Sequence, residues 1–237
     1  MSQNFELLKQ IEYERELSNA TPPRRRVENV AHAAQLDFSN ELMDLAQSLF
    51  LSNNSDGPHE VLFCGIDREG GSSHICLELG RLLAAFSSHS VCLVDGDVHD
   101  LRLWQLVNVP QTHSQNDPWC EGCIQIEPNL WIANAESMDP SSRGALAEAY
   151  ALKKRLGELK GAFSFVLINA PGINVRNDAG VLGQIADGVI LVIEANSTRK
   201  AAALKAKKTL EAMNVRLLGT ILNNRTFPIP QGLYSKL

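Results

Sequence analysis

Three stretches of the chain carry residues able to do chemistry. The first, "FCGIDREGGSSHICLELG" (63–80), joins an apolar run to an amphipathic helical pattern through a loop rich in Gly and Ser. Such a junction binds phosphate, because glycines let backbone N–H groups close around an anion and the helix start adds its positive end. Aligned on the phosphate-loop pattern G-x-x-x-x-G-K-[ST], Gly71 takes the last glycine and Ser73 the hydroxyl that holds Mg2+. Gly70, Ser72 and His74 belong to the same cradle, but the lysine position is occupied by Ser72. The amide nest and the helix dipole survive that replacement, whereas the full positive charge does not. Arg68 lies in the loop and could swing inward, although a loop arginine more commonly faces solvent.

The second stretch is "VCLVDGDVHD", in which Asp95 and Asp97 follow an apolar run. Paired carboxylates at a strand end can orient Mg2+ and activate a hydroxyl. The plainer alternative is that they cap the next segment, "VHDLRLWQLV". The third is "FSFVLINAPG", whose run ends at Asn169. Enzymes with a phosphate loop carry an aspartate there, bonded to the metal's waters; asparagine keeps the shape and loses the charge. A separate signal is "DPWCEGC", where Cys120 and Cys123 match the spacing of the thioredoxin redox motif and His113 or His99 offers a metal alternative. The pair follows a polar loop instead of a strand, and zinc needs about four ligands, so both uses are the weaker reading.

These stretches need a scaffold, and the remaining pattern supplies one. Past residue 60, apolar runs at "VLFCGI", "VCLVDGD", "LWIANA", "FSFVLINAP", "GVILVIEA" and "VRLLGTILNN" are too continuous for half-exposed strands and fit strands buried on both faces. Helical patterns lie between them over 72–89, 143–159, 178–185 and 198–213. The alternation predicts an α/β fold, a doubly wound and mainly parallel sheet with right-handed crossovers, in which ligands sit at the carboxyl ends of the strands. The expected organisation is an N-terminal helix and flexible linker over 1–37, followed by one domain over 38–237. The linker carries "TPPRRR", and the three arginines read as solvated. A net charge of -5 provides no global basic field, so nucleic acid is not an expected partner. No run approaches the ~20 apolar residues that cross a bilayer, and a charged N-terminus is unlike a secretory signal, so the expected location is cytoplasmic. Cys64, Cys76 and Cys92 sit in apolar runs, where free thiols pack as small hydrophobes.

Taken in order, "EVLFCGIDREGGSSH", "SVCLVDGDVHDLRLWQL", "FSFVLINAPGINVRNDAGVLGQIADGVILVIEANSTRKAA" and "VRLLGTILNNRTFPIP" resemble the CpsD/CapB-like bacterial tyrosine autokinases of the polysaccharide co-polymerase system. These belong to the deviant branch of P-loop ATPases that also holds division-site and plasmid-partition ATPases. The resemblance implies a P-loop NTPase-like fold, ATP and Mg2+ as ligands, a membrane-bound co-polymerase or activator as partner, and a place at the inner face of the plasma membrane. It puts Asp95 and Asp97 on the second carboxylate motif, with Ser73 and Asp95 toward the metal, and Asn223 near the adenine. The chain also departs from the family. Beyond Ser72 and Asn169, the ring-forming pattern E-x-x-R-x-x-R would start at Glu41 but finds Asp44 and Gln47 in place of the arginines. Of three tyrosines, Tyr13, Tyr150 and Tyr234, only Tyr234 lies in the tail, where the family carries its autophosphorylation cluster.

A charge-assisted hydrogen bond contributes about 1.5–3 kcal/mol, so loss of the lysine should weaken ATP binding about ten- to a hundred-fold. Phosphoryl transfer depends on positioning and charge compensation and should suffer more. The sequence therefore predicts a kinase-like regulator or scaffold of exopolysaccharide or capsule export with weak or no ATP binding. The alternatives are an active tyrosine autokinase with a rebuilt phosphate site and a nucleotide-free interaction module.

Overall fold

The computed structural model describes residues 40–51, 57–67, 70–86, 89–97, 100–108, 122–134, 145–175 and 178–225. The chain divides into two compact units, Met1–Asp44 and Leu45–Leu237. In the first, residues 40–44 are described and are helical. The expected N-terminal helix and linker, Arg68, His99, His113, Cys120 and Tyr234 lie outside the described residues.

Early in the second unit, a π-helical turn at Gln47–Leu51 buries Phe50 edge-on against Phe165, with ring centroids 5.2 Å apart. The apolar runs become β1 (Glu60–Gly65), β2 (Val91–Asp95), β4 (Leu130–Asn134), β5 (Phe165–Ala170), β6 (Gly188–Glu194) and β7 (Leu217–Asn223). A further strand, β3 (Cys123–Glu127), was not expected. The seven form one sheet in the order β3-β4-β2-β5-β1-β6-β7, parallel throughout except for the β3–β4 pair. Helices α1 (Ser72–Phe86), α2 (Arg102–Val107), α3 (Ala145–Ala162), α4 (Asp178–Ile185) and α5 (Lys200–Ala212) connect the strands.

Every residue of β1, β2 and β5 is buried, as their unbroken apolar runs require. Fully buried side chains such as Leu62, Phe63 and Leu93 each contribute about 1.5–3 kcal/mol by leaving water. Strand β7 departs from the expectation of burial on both faces: it is the edge of the sheet, and Leu222 is half exposed. Strand β3 pairs antiparallel with β4 across a tight turn in which Asn129 adopts φ 61°.

The central order positions the site. Chain connectivity runs from β1 through α1 to β2, yet β5 lies between these two strands, and β6 pairs with the far side of β1. Strand order thus reverses beside β1, the place where open α/β sheets bind ligands. The register sets Asn169 of β5 opposite both Phe63 of β1 and Asp95 of β2, one residue short of the strand's end.

Candidate functional site

Gly71 lies between β1 and α1 with φ +73°, a conformation that side chains other than glycine's disfavour. A Cβ there would collide with the Asn223 side-chain amide, whose Nδ2 donates to the Gly70 carbonyl at 3.4 Å. The end of β7 therefore props the loop from one side. From the other, Ile173 N–H donates to the Gly65 carbonyl at 3.0 Å and Asn174 N–H to that of Ile66 at 3.1 Å. Gly172 sits so close that a Cβ would come within 2.7 Å of the Asp67 carbonyl. Gly71 is needed for its left-handed backbone and the Asn223 amide beside it, Gly172 because backbone approaches backbone.

Inside this frame runs a chain of side-chain hydrogen bonds. Ser72 Oγ donates to Asn169 Oδ1 at 3.2 Å, Asn169 Nδ2 donates to Asp95 Oδ1 at 3.2 Å, and Leu103 N–H donates to Asp95 Oδ2 at 2.9 Å. Asp95 is fully buried, and Asn169 is nearly so. Burial pushes the Asp95 carboxyl up to about 6, against the pull of the Asn169 amide and of backbone N–H groups, Leu103 first among them. The Leu103 bond lies in the first turn of α2, so the capping role weighed for this aspartate describes one of its two oxygens.

Above the chain opens a hollow of about 270 Å³, at the small end for ligand sites. Its wall includes Gly71, Ser72, Ser73, Asp97 and Asn169 together with Ala170, Pro171, Gly172 and Val175. The charged members are Asp67, Asp97, Asp100 and Arg102, and the Arg102 Nε donates to Asp100 Oδ2 at 2.8 Å. Among the described residues, three carboxylates thus face one cation that is already bonded to one of them.

The predicted residues separate accordingly. Gly71, Ser72, Ser73, Asp97 and Asn169 line the hollow, whereas Asp95 stands beneath it in contact with Asn169. Gly70 and Asn223 brace the loop, and His74 is exposed on the first turn of α1. Sequence reasoning missed Asp67, Asp100 and Arg102. The signal available was their position just after strand ends, where ligands bind in such sheets. Among the described residues no three His, Cys, Asp or Glu side chains gather as a metal cage. Mg2+ does not require one, since it is commonly held by one or two carboxylates and by phosphate oxygens. The cradle at Gly71 and the Ser73 hydroxyl fit a phosphate and its metal; among the described residues the one cation of the wall, Arg102, is bonded to Asp100.

The cysteine signal resolves differently. Cys123 is buried at the start of β3 and is disulfide-bonded, with Arg155 Nη2 3.7 Å from its sulfur. Cys64, Cys76 and Cys92 are free and buried; desolvation pushes the first and last up to about 12 and Cys76 well above its ordinary value, so they are inert packing groups.

No family model matches the chain. Among curated proteins it is 36% identical over 196 residues to CapB of Staphylococcus aureus, whose name places it among tyrosine-protein kinases; the match covers 78% of this chain and 84% of CapB. The chain belongs to the CpsD/CapB-like family of bacterial tyrosine kinases. Tyrosine-protein kinase CpsD of Streptococcus agalactiae is 30% identical over 101 residues, which is 43% of this chain. That match spans 43% of the length of CpsD. Among solved structures, the chimerical protein CapA2B2 superposes with a TM-score of 0.66 at 19% identity, over 79% of this chain and 85% of that one. The kinase domain of Escherichia coli tyrosine kinase ETK gives 0.65 at 15% identity, over 82% and 80%. At these identities the likeness is one of fold, that of the P-loop NTPase-like kinase domains. No described helix of this family member is long and apolar enough to cross a membrane.

Proposed function

We propose that this protein is a catalytically impaired, kinase-like regulator or scaffold in the making of a capsule or exopolysaccharide, with weak affinity for ATP. The observation that carries the reading is the composition of the hollow. Ser72 stands where the phosphate-binding lysine belongs and spends its hydroxyl on Asn169, while the wall presents three carboxylates and the engaged Arg102. A triphosphate brought there meets backbone amides and a helix start but no free countercharge among the described residues. Family membership supports the process, with a membrane-bound co-polymerase or activator as the partner and the inner face of the plasma membrane as the place of action.

Arg102 favours a second reading, an active tyrosine autokinase with a rebuilt phosphate site, in which its guanidinium leaves Asp100 and turns to the phosphates. Incubation of the purified protein with radiolabelled ATP and Mg2+, with and without a membrane activator, separates the two. The impaired reading expects no label on tyrosine in either condition. Strong labelling of Tyr234 that is lost in Arg102→Ala establishes the second.

A further inference from the structure

We infer that Ser72 and Asn169 act as one unit, a neutral hydrogen-bonded pair that makes the hollow hold a nucleoside diphosphate at least as tightly as the triphosphate. The inference rests on the nucleotide-site reading given above. Ser72 and Asn169 lie 97 positions apart in sequence, yet their side chains are bonded at 3.2 Å, and Asn169 is bonded in turn to buried Asp95. The lysine and aspartate normally found at these two positions of a phosphate-loop enzyme carry one positive and one negative charge. Serine and asparagine carry none. The net charge of the pair is the same in both cases, and two opposite charges have been exchanged for a neutral hydrogen bond. The two departures are thus coupled instead of being separate losses.

Geometry enforces the coupling. An aspartate at 169 would set a second carboxylate about 3.2 Å from Asp95, the separation that Asn169 Nδ2 now occupies. Two carboxylate oxygens at that separation repel one another unless a cation lies beside them. A lysine at 72, adjoining residue 169, is the group that would supply it. With asparagine at 169, a donor faces Asp95 and no cation is required.

The same exchange sets the ligand. In a phosphate loop the backbone amides grip the inner phosphates while the lysine reaches the outer ones. Here the backbone cradle is kept, with Gly71 at φ +73°, and the same wall carries Asp67, Asp97 and Asp100 with Arg102 tied to Asp100. The third phosphate brings further negative charge to a wall whose described residues offer it no disengaged cation. It therefore adds no affinity.

Titration calorimetry of the full-length chain with ADP and with ATP, each with and without Mg2+, tests this in the wild type, Ser72→Lys, Asn169→Asp and the double variant. Thermal melts of all four without ligand at pH 8 accompany it. The inference expects a wild-type Kd for ATP equal to or above that for ADP, and a shift of about ten- to a hundred-fold toward ATP in the double variant. It also expects Asn169→Asp alone to melt lower and Ser72→Lys to restore it. Wild-type preference for ATP by tenfold overturns the inference and leaves the nucleotide site standing. Melting losses that simply add in the double variant overturn the coupling. Absence of binding by either nucleotide to every variant overturns the inference and the nucleotide-site reading together.

Discussion

At the amino ends of the strands, Glu60 and Asp187 share one lysine: Lys160 Nζ lies 3.5 Å from Glu60 Oε2 and 3.1 Å from Asp187 Oδ1. At the carboxyl ends of the same sheet, Asp95 faces the neutral amide of Asn169. Asp187 Oδ2 also accepts from the backbone N–H groups of His59 and Glu60, at 2.8 and 2.9 Å. Burial raises the Asp187 carboxyl, but those two donors and Lys160 more than offset it and hold it below its ordinary value. Asp95 has comparable donors and no cation, and burial wins. Glu60 is intermediate: burial raises it, the lysine pulls it back, and its Oε1 is left without a hydrogen-bond partner. The difference teaches that depth of burial and a nearby cation act together: Asp187 keeps 29% of its side chain exposed beside Lys160, whereas Asp95 is fully buried beside a neutral amide. Hydrogen bonds satisfy both carboxylates, and how far water is excluded decides which of them is held in its charged form.

The comparison can be broken at either end. The largest effect expected is a pH dependence of stability. Because the folded-state value of Asp95 is raised from an ordinary 3.8 to about 6, its favourable contribution is complete below 3.8 and lost as pH rises through 6. The whole window is worth about 3 kcal/mol at 1.36 kcal/mol per unit. Urea midpoints should therefore fall between pH 5 and pH 7.5 and do so less steeply in Asp95→Asn; equal slopes in the two proteins refute the assignment. Glu60 adds a smaller slope of the same sign in both.

Next is Lys160→Met, which strips the cation from Glu60 and Asp187. Loss of a buried pair's partner costs about 3–5 kcal/mol, but the lysine side chain is 45% exposed and solvent relieves part of this, so about 2 kcal/mol is expected at pH 7. The loss should shrink toward pH 4, where Glu60 takes up a proton, and a pH-independent loss would point to packing instead.

Gly71→Ala forces a left-handed conformation on a residue with a Cβ and pushes that Cβ into Asn223, for a loss of about 1–2 kcal/mol by chemical denaturation. Asn223→Ala in the same background should recover the steric part alone. The smallest change is Ser72→Ala, which removes the donor to Asn169 Oδ1 and should cost about 1 kcal/mol. Ser72→Thr keeps the hydroxyl and should be near neutral, which separates the hydrogen bond from side-chain bulk.

Much of this was legible in the sequence, for reasons that differ by element. The runs that became β1, β2 and β5 are apolar on both faces, and the Asp178–Ile185 helix fell where its pattern placed it. Strand β3 was missed because five alternating residues behind a polar loop look like more loop; they become a strand only by pairing with β4. Strand β7 was recognised but expected to be too deeply buried, since its composition matches central strands and its position at the edge is a property of the whole sheet. At the site, the neutral side chains at 72 and 169 could each be read locally. Their contact could not, because it depends on β5 lying beside β1. The burial of Asp95 beneath the hollow follows equally from its register with Asn169, and Arg102 entered the wall through the short turn from Asp97 to Asp100.

The two main-chain bonds from Ile173 and Asn174 to Gly65 and Ile66 involve no titrating group and no side chain. They tie the segment after β5 to the end of β1 and the start of its loop through backbone alone. Neither bond depends on which side chains occupy positions 72 and 169. Substitutions at positions 72 and 169 that change the charge of the site therefore leave this backbone bracing of the loop intact.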